Sequence, residues 1–225
     1  MLRTGGYAPV DVALFGVAVA LPLDAWLRPD ANLLGADAVP LLSALVVISL
    51  VGLLVRPTSE RSLVDWALSL GLALYLGGFM QFYLPLRALP TTFPGFWVMA
   101  LLILSWVCDS SAFFVGGAIG RTRLAPTISP KKSVEGAIAG LIGAAVAGPL
   151  LGLAVGAPPA LLAGYGLAIG LGTIVGDLIE SLVKRQTGVK DSGVLIPGHG
   201  GLLDRMDSLL LCAPVAVLYL RLFGA

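Results

Sequence analysis

Two stretches of the chain concentrate the side chains that bind phosphates and divalent cations. The later one, residues 181–207, carries Lys184, Arg185, Lys190 and Arg205, the acids Asp191, Asp204 and Asp207, and the only histidine, His199, set in Pro197-Gly-His-Gly-Gly. A loop between two apolar runs has no structural need for that mixture. Asp204 and Asp207 are three apart at the start of the last apolar run, so a helix beginning there puts both on one side. Asp177 lies inside the preceding run, with Glu180 three and Lys184 seven residues further on the same face. Carboxylates with no cysteine and one histidine make an oxygen-rich site, which suits Mg²⁺ or another hard divalent cation rather than zinc. Mg²⁺ held by a few carboxylates commonly completes its shell with substrate phosphates.

The basic residues Lys184, Arg185, Lys190 and Arg205 suit phosphate oxygens. Gly198, Gly200 and Gly201 allow a ligand to approach the backbone closely. For Asp191 a solvated loop position explains the residue equally well. For Asp177 it does not, because an ionisable group inside a span is costly to keep. His199 is read as a hydrogen-bond donor to phosphate, since a phosphate monoester is already largely ionised at neutral pH, its second pKa being about 6.

The earlier stretch runs from Asp109 to Gly136 and includes Ser129-Pro-Lys131-Lys132-Ser133. Asp109 is a second acid within an apolar run. Ser133 is a natural N-cap for the next helix, and that helix N-terminus with Lys131 and Lys132 would attract a phosphate. The plain alternative for the two lysines is anchoring at a membrane surface.

The elements that position these residues must be membrane helices. The 225 residues are 57% hydrophobic and 12% charged, with a mean hydropathy of +0.95, against about 25% charged in a soluble domain. Seven apolar blocks are long enough for spans: 8–27, 38–55, 64–84, 94–116, 134–155, 158–182 and 207–224. They lack the in–out alternation of barrel strands, so the expected fold is all-α, a polytopic bundle of about seven transmembrane helices. A retained first span is expected rather than a signal peptide, because Pro22-Leu-Asp-Ala-Trp26 is a poor cleavage site. Cys108 and Cys212 fall inside spans and read as packing residues.

Eleven basic residues fall on one side of this arrangement and three, Arg28, Arg87 and Arg221, on the other. The positive-inside rule then makes the first side cytoplasmic, together with the loops 117–133 and 183–206. Gly116/Gly120, Gly136/Gly140, Gly148/Gly152, Gly166/Gly170 and Gly172/Gly176 form small-xxx-small pairs, which read first as close helix packing and are also compatible with a homodimer. Trp26, Trp66 and Trp97 lie near span ends, as interfacial anchors do. No linker divides the chain, so a single integral membrane domain over 1–225 is expected.

The two stretches together resemble the phosphatidate cytidylyltransferase family, also called CDP-diglyceride synthetases. Its signature of Ser, Lys-Arg, Lys-Asp, His-Gly-Gly and Asp-Arg-x-Asp is matched by Ser181, Lys184-Arg185, Lys190-Asp191, His199-Gly200-Gly201 and Asp204-Arg205-Met206-Asp207. The upstream acid, the Ser-Pro-Lys-Lys-Ser/Thr segment and the Gly-Asp are matched by Asp109, Ser129 to Ser133 and Gly176-Asp177. The match covers residues 64–220, leaving the spans of 1–63 poorly matched and the catalytic helices in 64–225. Where many members have Ala-Tyr after the upstream acid, this chain has Ser111-Ala112-Phe113.

The resemblance implies a nucleotidyl transfer in which phosphatidic acid attacks the α-phosphorus of CTP, releasing pyrophosphate and CDP-diacylglycerol. It further implies that Asp177, Asp204 and Asp207 hold the metal centre with Asp109 beside them. Lys184, Arg185, Lys190, Arg205, Lys131 and Lys132 would hold phosphates. The expected partners are CTP, phosphatidic acid and the lipid bilayer, with no nucleic acid. The expected location is a bacterial inner membrane, with the active site at the cytoplasmic helix ends. Two other readings stay open: a related CTP-dependent lipid kinase or ether-lipid cytidylyltransferase, and a transporter using its intramembrane acids for ion passage. The Asp-Gly-x-x-Ala-Arg motif of CDP-alcohol phosphotransferases is absent.

Overall fold

The computed structural model describes residues 3, 6–10, 12–28, 39–54, 61–189 and 203–224, the side chains of 12, 13 and 203–205 excepted. Each apolar block contributes a helix: α1 (Val17–Leu27), α2 (Val39–Leu54), α3 (Ser62–Ala73), α4 (Tyr83–Ala88), α5 (Phe96–Ile119), α6 (Val134–Gly152), α7 (Pro159–Gln186) and α8 (Leu203–Phe223). A short antiparallel hairpin of β1 (Arg123–Ala125) and β2 (Ser129–Ser133) joins α5 to α6. Among the described residues, five helical runs are long and apolar enough to cross a membrane: Ser62–Ala88, Phe96–Ile119, Val134–Gly152, Pro159–Gln186 and Met206–Phe223. The two apolar helices nearest the N-terminus, Leu14–Leu27 and Val39–Leu54, are shorter. The protein is an integral membrane protein.

Helix α6 shows why lipid rather than water is the solvent. Gly136, Gly140, Ala144, Gly148 and Gly152 repeat every fourth residue and are buried. Ile138, Ile142, Val146 and Leu150 repeat at the same period on the outside and are 52–64% exposed. Water would drive the large residues inward. In a bilayer they meet acyl chains, and the small residues let backbones touch. A Cβ at Gly148 would lie 2.0 Å from the Leu162 carbonyl oxygen, and one at Gly166 would lie 2.2 Å from that of Ala144. Each member of the five glycine pairs meets a neighbouring segment of the same chain in this way, so the pairs are accounted for by packing inside one chain.

The chain divides into two compact units, Met1–Pro85 and Leu86–Ala225. In the first, Val17, Leu21 and Ala73 form a small core covered by Leu14, Leu41, Leu45 and Leu70. Polar groups there are bonded locally: Trp66 Nε1 donates to Ser49 Oγ at 2.9 Å, and Ser69 Oγ donates to the Asp65 carbonyl at 2.6 Å.

In the second unit α5, α6, α7 and α8 pack in sequence, each antiparallel to the one before, and α5 also touches α7 and α8. That order brings the C-terminal ends of α5 and α7 and the N-terminal ends of α6 and α8 to one end of the bundle. Trp97, expected as an interfacial anchor, is packed inside at the opposite end, edge-on to Tyr165 with ring centroids 5.2 Å apart. Cys108 and Cys212 are buried free thiols, Cys212 approaching the Ile169 carbonyl at 3.5 Å.

Candidate active site

The acid end of the second unit is assembled from four pieces of chain. Helix α7 brings Asp177, Glu180, Ser181 and Lys184 on successive turns, because residues three and four apart share a helix face. The first turns of α8 bring Asp207, and α5 brings Asp109. The hairpin brings Lys131 and Lys132.

One carboxylate oxygen each from Asp177, Glu180 and Asp207 falls within 4.8 Å of the others. Glu180 is 1% exposed, and among the described residues neither of its oxygens accepts a hydrogen bond of good geometry. The Lys184 ammonium, one turn on, approaches one of them at 2.9 Å. Three ionised carboxylates at this spacing repel one another unless a cation lies among them. An oxygen-only donor set with one buried, under-bonded member fits a hard metal ion.

Asp177 is held from two sides. Ser181 Oγ donates to its Oδ1 at 3.3 Å, and the Lys132 ammonium pairs with its Oδ2. Asp207 Oδ1 accepts from the Ser208 backbone N–H at 2.7 Å.

Two cavities open onto these acids. A smaller one of about 340 Å³ is lined by Ser105, Trp106, Asp109, Asp177, Asp207 and Ser208. A larger one of about 580 Å³ runs from Asp109 and Asp177 to Arg123, Lys131, Lys132 and Ser133, along the glycines at the α5–α6 contact. Its floor is bare backbone: a Cβ at Gly136 would lie 2.7 Å from the Ala112 carbonyl oxygen. The cavity is thus acidic at one end and basic at the other, the polarity needed by a metal-bound polyphosphate.

The hairpin is fixed in place by its neighbours. Glu135 in the first turn of α6 accepts from the Thr122 backbone N–H at 3.0 and 3.2 Å. Ser133 caps α6 as expected, its Oγ accepting from Gly136 N at 3.2 Å. Arg185 Nε donates to the Ile128 carbonyl in the β1–β2 turn at 3.3 Å.

Of the residues singled out in the sequence, the structure brings together Asp177, Asp207, Asp109, Lys132 and Lys184, with Lys131 and Ser133 along the larger cavity. Arg185 is turned to the hairpin instead. Asp204 and Arg205 stand in the first turn of α8, their side chains outside the description. Lys190, His199, Gly200 and Gly201 lie outside the described residues. Glu180 was not placed among the metal-binding residues by sequence. Its signal was there, an acid within a span, three residues from Asp177 and four before Lys184. Arg123 is a further cation at the cavity that spacing alone did not pick out.

Comparison with known proteins agrees with this chemistry. Residues 18–223 match the cytidylyltransferase family. The phosphatidate cytidylyltransferase of Synechocystis sp. is 36% identical over 251 aligned residues, covering 99% of this chain and 82% of that protein. That of Brucella abortus is 38% identical, covering 89% of this chain and 72% of its own length. That of Thermotoga maritima is 38% identical over 66% of this chain and 57% of its own length. With a match over nearly its whole length and an acid cluster facing a basic hairpin, the chain belongs to the cytidylyltransferase family.

Proposed function

We propose that the chain is a phosphatidate cytidylyltransferase that makes CDP-diacylglycerol and pyrophosphate from CTP and phosphatidic acid. The observation that carries this reading is the single cavity in which Asp109 and Asp177 face Lys131, Lys132 and Arg123, in a family member whose relatives bear that name. In the reaction a phosphate oxygen of phosphatidic acid forms a bond to the α-phosphorus of CTP. The bond from that phosphorus to the bridging oxygen breaks, and pyrophosphate leaves with the electron pair.

Asp177, Glu180 and Asp207 would hold Mg²⁺, with Asp204 joining them by the family signature and Asp109 beside them. Bound there, Mg²⁺ supplies charge stabilisation for the attacking and leaving oxygens. The protein's own groups do the rest. Lys132 and Lys131 on β2 and the capped N-terminus of α6 present positive charge to the phosphates. Lys184 pairs with Glu180 one turn away along α7 at 2.9 Å and helps to fix its carboxylate in place. Arg205, Arg185, Lys190 and the His199-Gly-Gly segment are assigned to phosphate binding by the signature. Every described side chain with a role belongs to the unit Leu86–Ala225.

By the positive-inside rule, the basic residues of the sequence around 117–133 and 183–206 support the reading that this end faces the cytoplasm at a bacterial inner membrane. CTP is met there, and the lipid phosphate lies at headgroup depth. The outward Ile, Val and Leu stripe of α6 offers acyl chains an apolar face on the helix whose N-terminal turn lines the cavity.

The test is CTP turnover by the purified protein in detergent with phosphatidic acid and Mg²⁺. Equal amounts of CDP-diacylglycerol and pyrophosphate are expected. Release of CDP with a polyprenol or other lipid alcohol, and none of pyrophosphate, would make the protein a lipid kinase instead.

A further inference from the structure

The ion pair between Lys132 and Asp177 joins a residue of the phosphate-binding hairpin to a residue of the acid cluster. As β2 alternates its faces, Lys131 is exposed while Lys132 is turned in, its side chain 26% exposed against 31% for Asp177. Both lysines line the larger cavity, and only Lys132 is paired with a triad acid. Lys184, the other lysine on the cluster, is paired within its own helix at i,i+4 and has no reason to leave.

The hairpin does not depend on Lys132 for its position. The Glu135–Thr122 bonds, the Ser133 cap and the Arg185–Ile128 bond all hold it independently. The Lys132 pair is therefore free to open without releasing β2. A second argument is electrostatic. An ammonium seated on Asp177 Oδ2 and a divalent cation among Asp177, Glu180 and Asp207 would share one carboxylate at contact distance, and like charges so placed repel strongly in a partly desolvated site. Among the described residues four acids, Asp109, Asp177, Glu180 and Asp207, meet two lysines paired with them, so Lys132 can leave Asp177 at little cost only when a cation of higher charge takes its place.

We propose that Lys132 is an exchangeable counter-cation: it occupies Asp177 while the acid cluster holds no divalent ion, and it moves to the substrate phosphates when one binds. It ties the readiness of the phosphate site to occupancy of the metal site, because the lysine is freed for phosphate only after Asp177 is claimed by the metal. The inference rests on the reading of the cluster as a divalent-cation site.

The experiment measures the reactivity of the Lys132 amine in the wild-type protein in detergent, by reductive methylation and mass spectrometry, with Lys131 as internal reference. Addition of Mg²⁺ alone is expected to raise Lys132 labelling relative to Lys131 by about two- to fivefold, the range that a partly exposed ion pair supports. Pyrophosphate added with Mg²⁺ is expected to lower it again. In parallel, Lys132→Gln should bind Mn²⁺ about two- to fivefold more tightly than wild type in the absence of nucleotide, read by the spin-resonance signal of free Mn²⁺, and Lys131→Gln should not. Lys132 labelling that is unchanged or reduced by Mg²⁺ overturns the exchange, and so does weaker Mn²⁺ binding by Lys132→Gln. If CDP-diacylglycerol is still made in that case, the assignment of the reaction stands without the exchange. If wild type binds no Mn²⁺ at all, both fall together.

Discussion

At the end of the bundle where α6 turns into α7, the Tyr165 hydroxyl donates to the Trp97 carbonyl at 3.0 Å and the Tyr219 hydroxyl to that of Leu161 at 3.0 Å. The rings of Trp97, Tyr165, Tyr219 and Phe223 follow one another at centroid distances of 5.0–5.9 Å. At the other end of the same four helices, Glu180 is buried with no hydrogen bond of good geometry to its oxygens among the described residues. Asp177 and Asp207 crowd beside it, and the floor between α5 and α6 is glycine backbone. The aromatic end satisfies its polar atoms within the chain and so contributes to holding the helices together. The acid end, among the described residues, crowds four acids against two lysines and keeps space open, which costs stability and makes sense if a ligand adds positive charge. Four helices thus divide the work by depth: one end fixes their spacing so that the other can tolerate repulsion.

The strongest way to break this comparison is to neutralise the acid end. Asp177→Asn is expected to lower CTP turnover about 10³-fold, about 4 kcal/mol of barrier, while leaving the metal-free melting temperature unchanged or higher. Pyrophosphate release and a thermal melt read the two effects separately. Activity within tenfold of wild type would mean that Asp177 is not part of the reacting site.

Next in size, stripping divalent cations with EDTA should lower the melting temperature of wild type. At a cation concentration a hundred times its dissociation constant, bound metal adds about 2.7 kcal/mol. Asp177→Asn should show little of that shift, and an equal shift in both proteins would place the cation elsewhere.

Between the two ends, Gly148→Ala forces a methyl group onto the Leu162 carbonyl, 2.0 Å away. It should destabilise the protein by about 1–3 kcal/mol, measured as a lower melting temperature in detergent. Specific activity of the surviving folded fraction should stay near wild type.

The smallest effect sharpens the contrast. Tyr165→Phe removes one buried hydrogen bond and should cost about 1 kcal/mol of stability, with turnover unchanged. A large loss of turnover from this substitution would mean that the aromatic end is more than a clamp.

Much of this was legible in the sequence, for reasons that can be named. Apolar runs become helices because a backbone in lipid must satisfy its own hydrogen bonds, and the runs around 94–116, 134–155, 158–182 and 207–224 correspond to α5 through α8. Ser133 was recognisable as a cap because its side chain type and the change from polar to apolar residues coincide. The acids Asp109 and Asp177 stood out because a charge in an apolar run needs a reason, and Asp207 because it lies three residues from Asp204 where the last run begins.

The hairpin was not legible. Arg-Leu-Ala and Ser-Pro-Lys-Lys-Ser have little strand propensity, and β1 and β2 pair because the ends of α5 and α6 and the Glu135–Thr122 bonds bring them together. Trp97 misled for a related reason: position near a span end does not say whether a ring faces lipid or a neighbouring helix, and here Tyr165 decides it. Glu180 was hidden by its own lysine, since an i,i+4 Glu–Lys pair also describes an ordinary helix surface. Only its burial separates the two cases.

Ser133 ends β2 and caps α6 with no residue between. A free loop over a cavity can flicker on nanoseconds, but a strand welded to a nineteen-residue helix has no hinge of its own. Any opening of the hairpin must turn α6 with it, against the glycine contacts with α5 and α7. Movement of the hairpin away from the cavity would therefore belong to the microsecond-to-millisecond motions of whole helices, and the thickness and fluidity of the surrounding bilayer would set its pace.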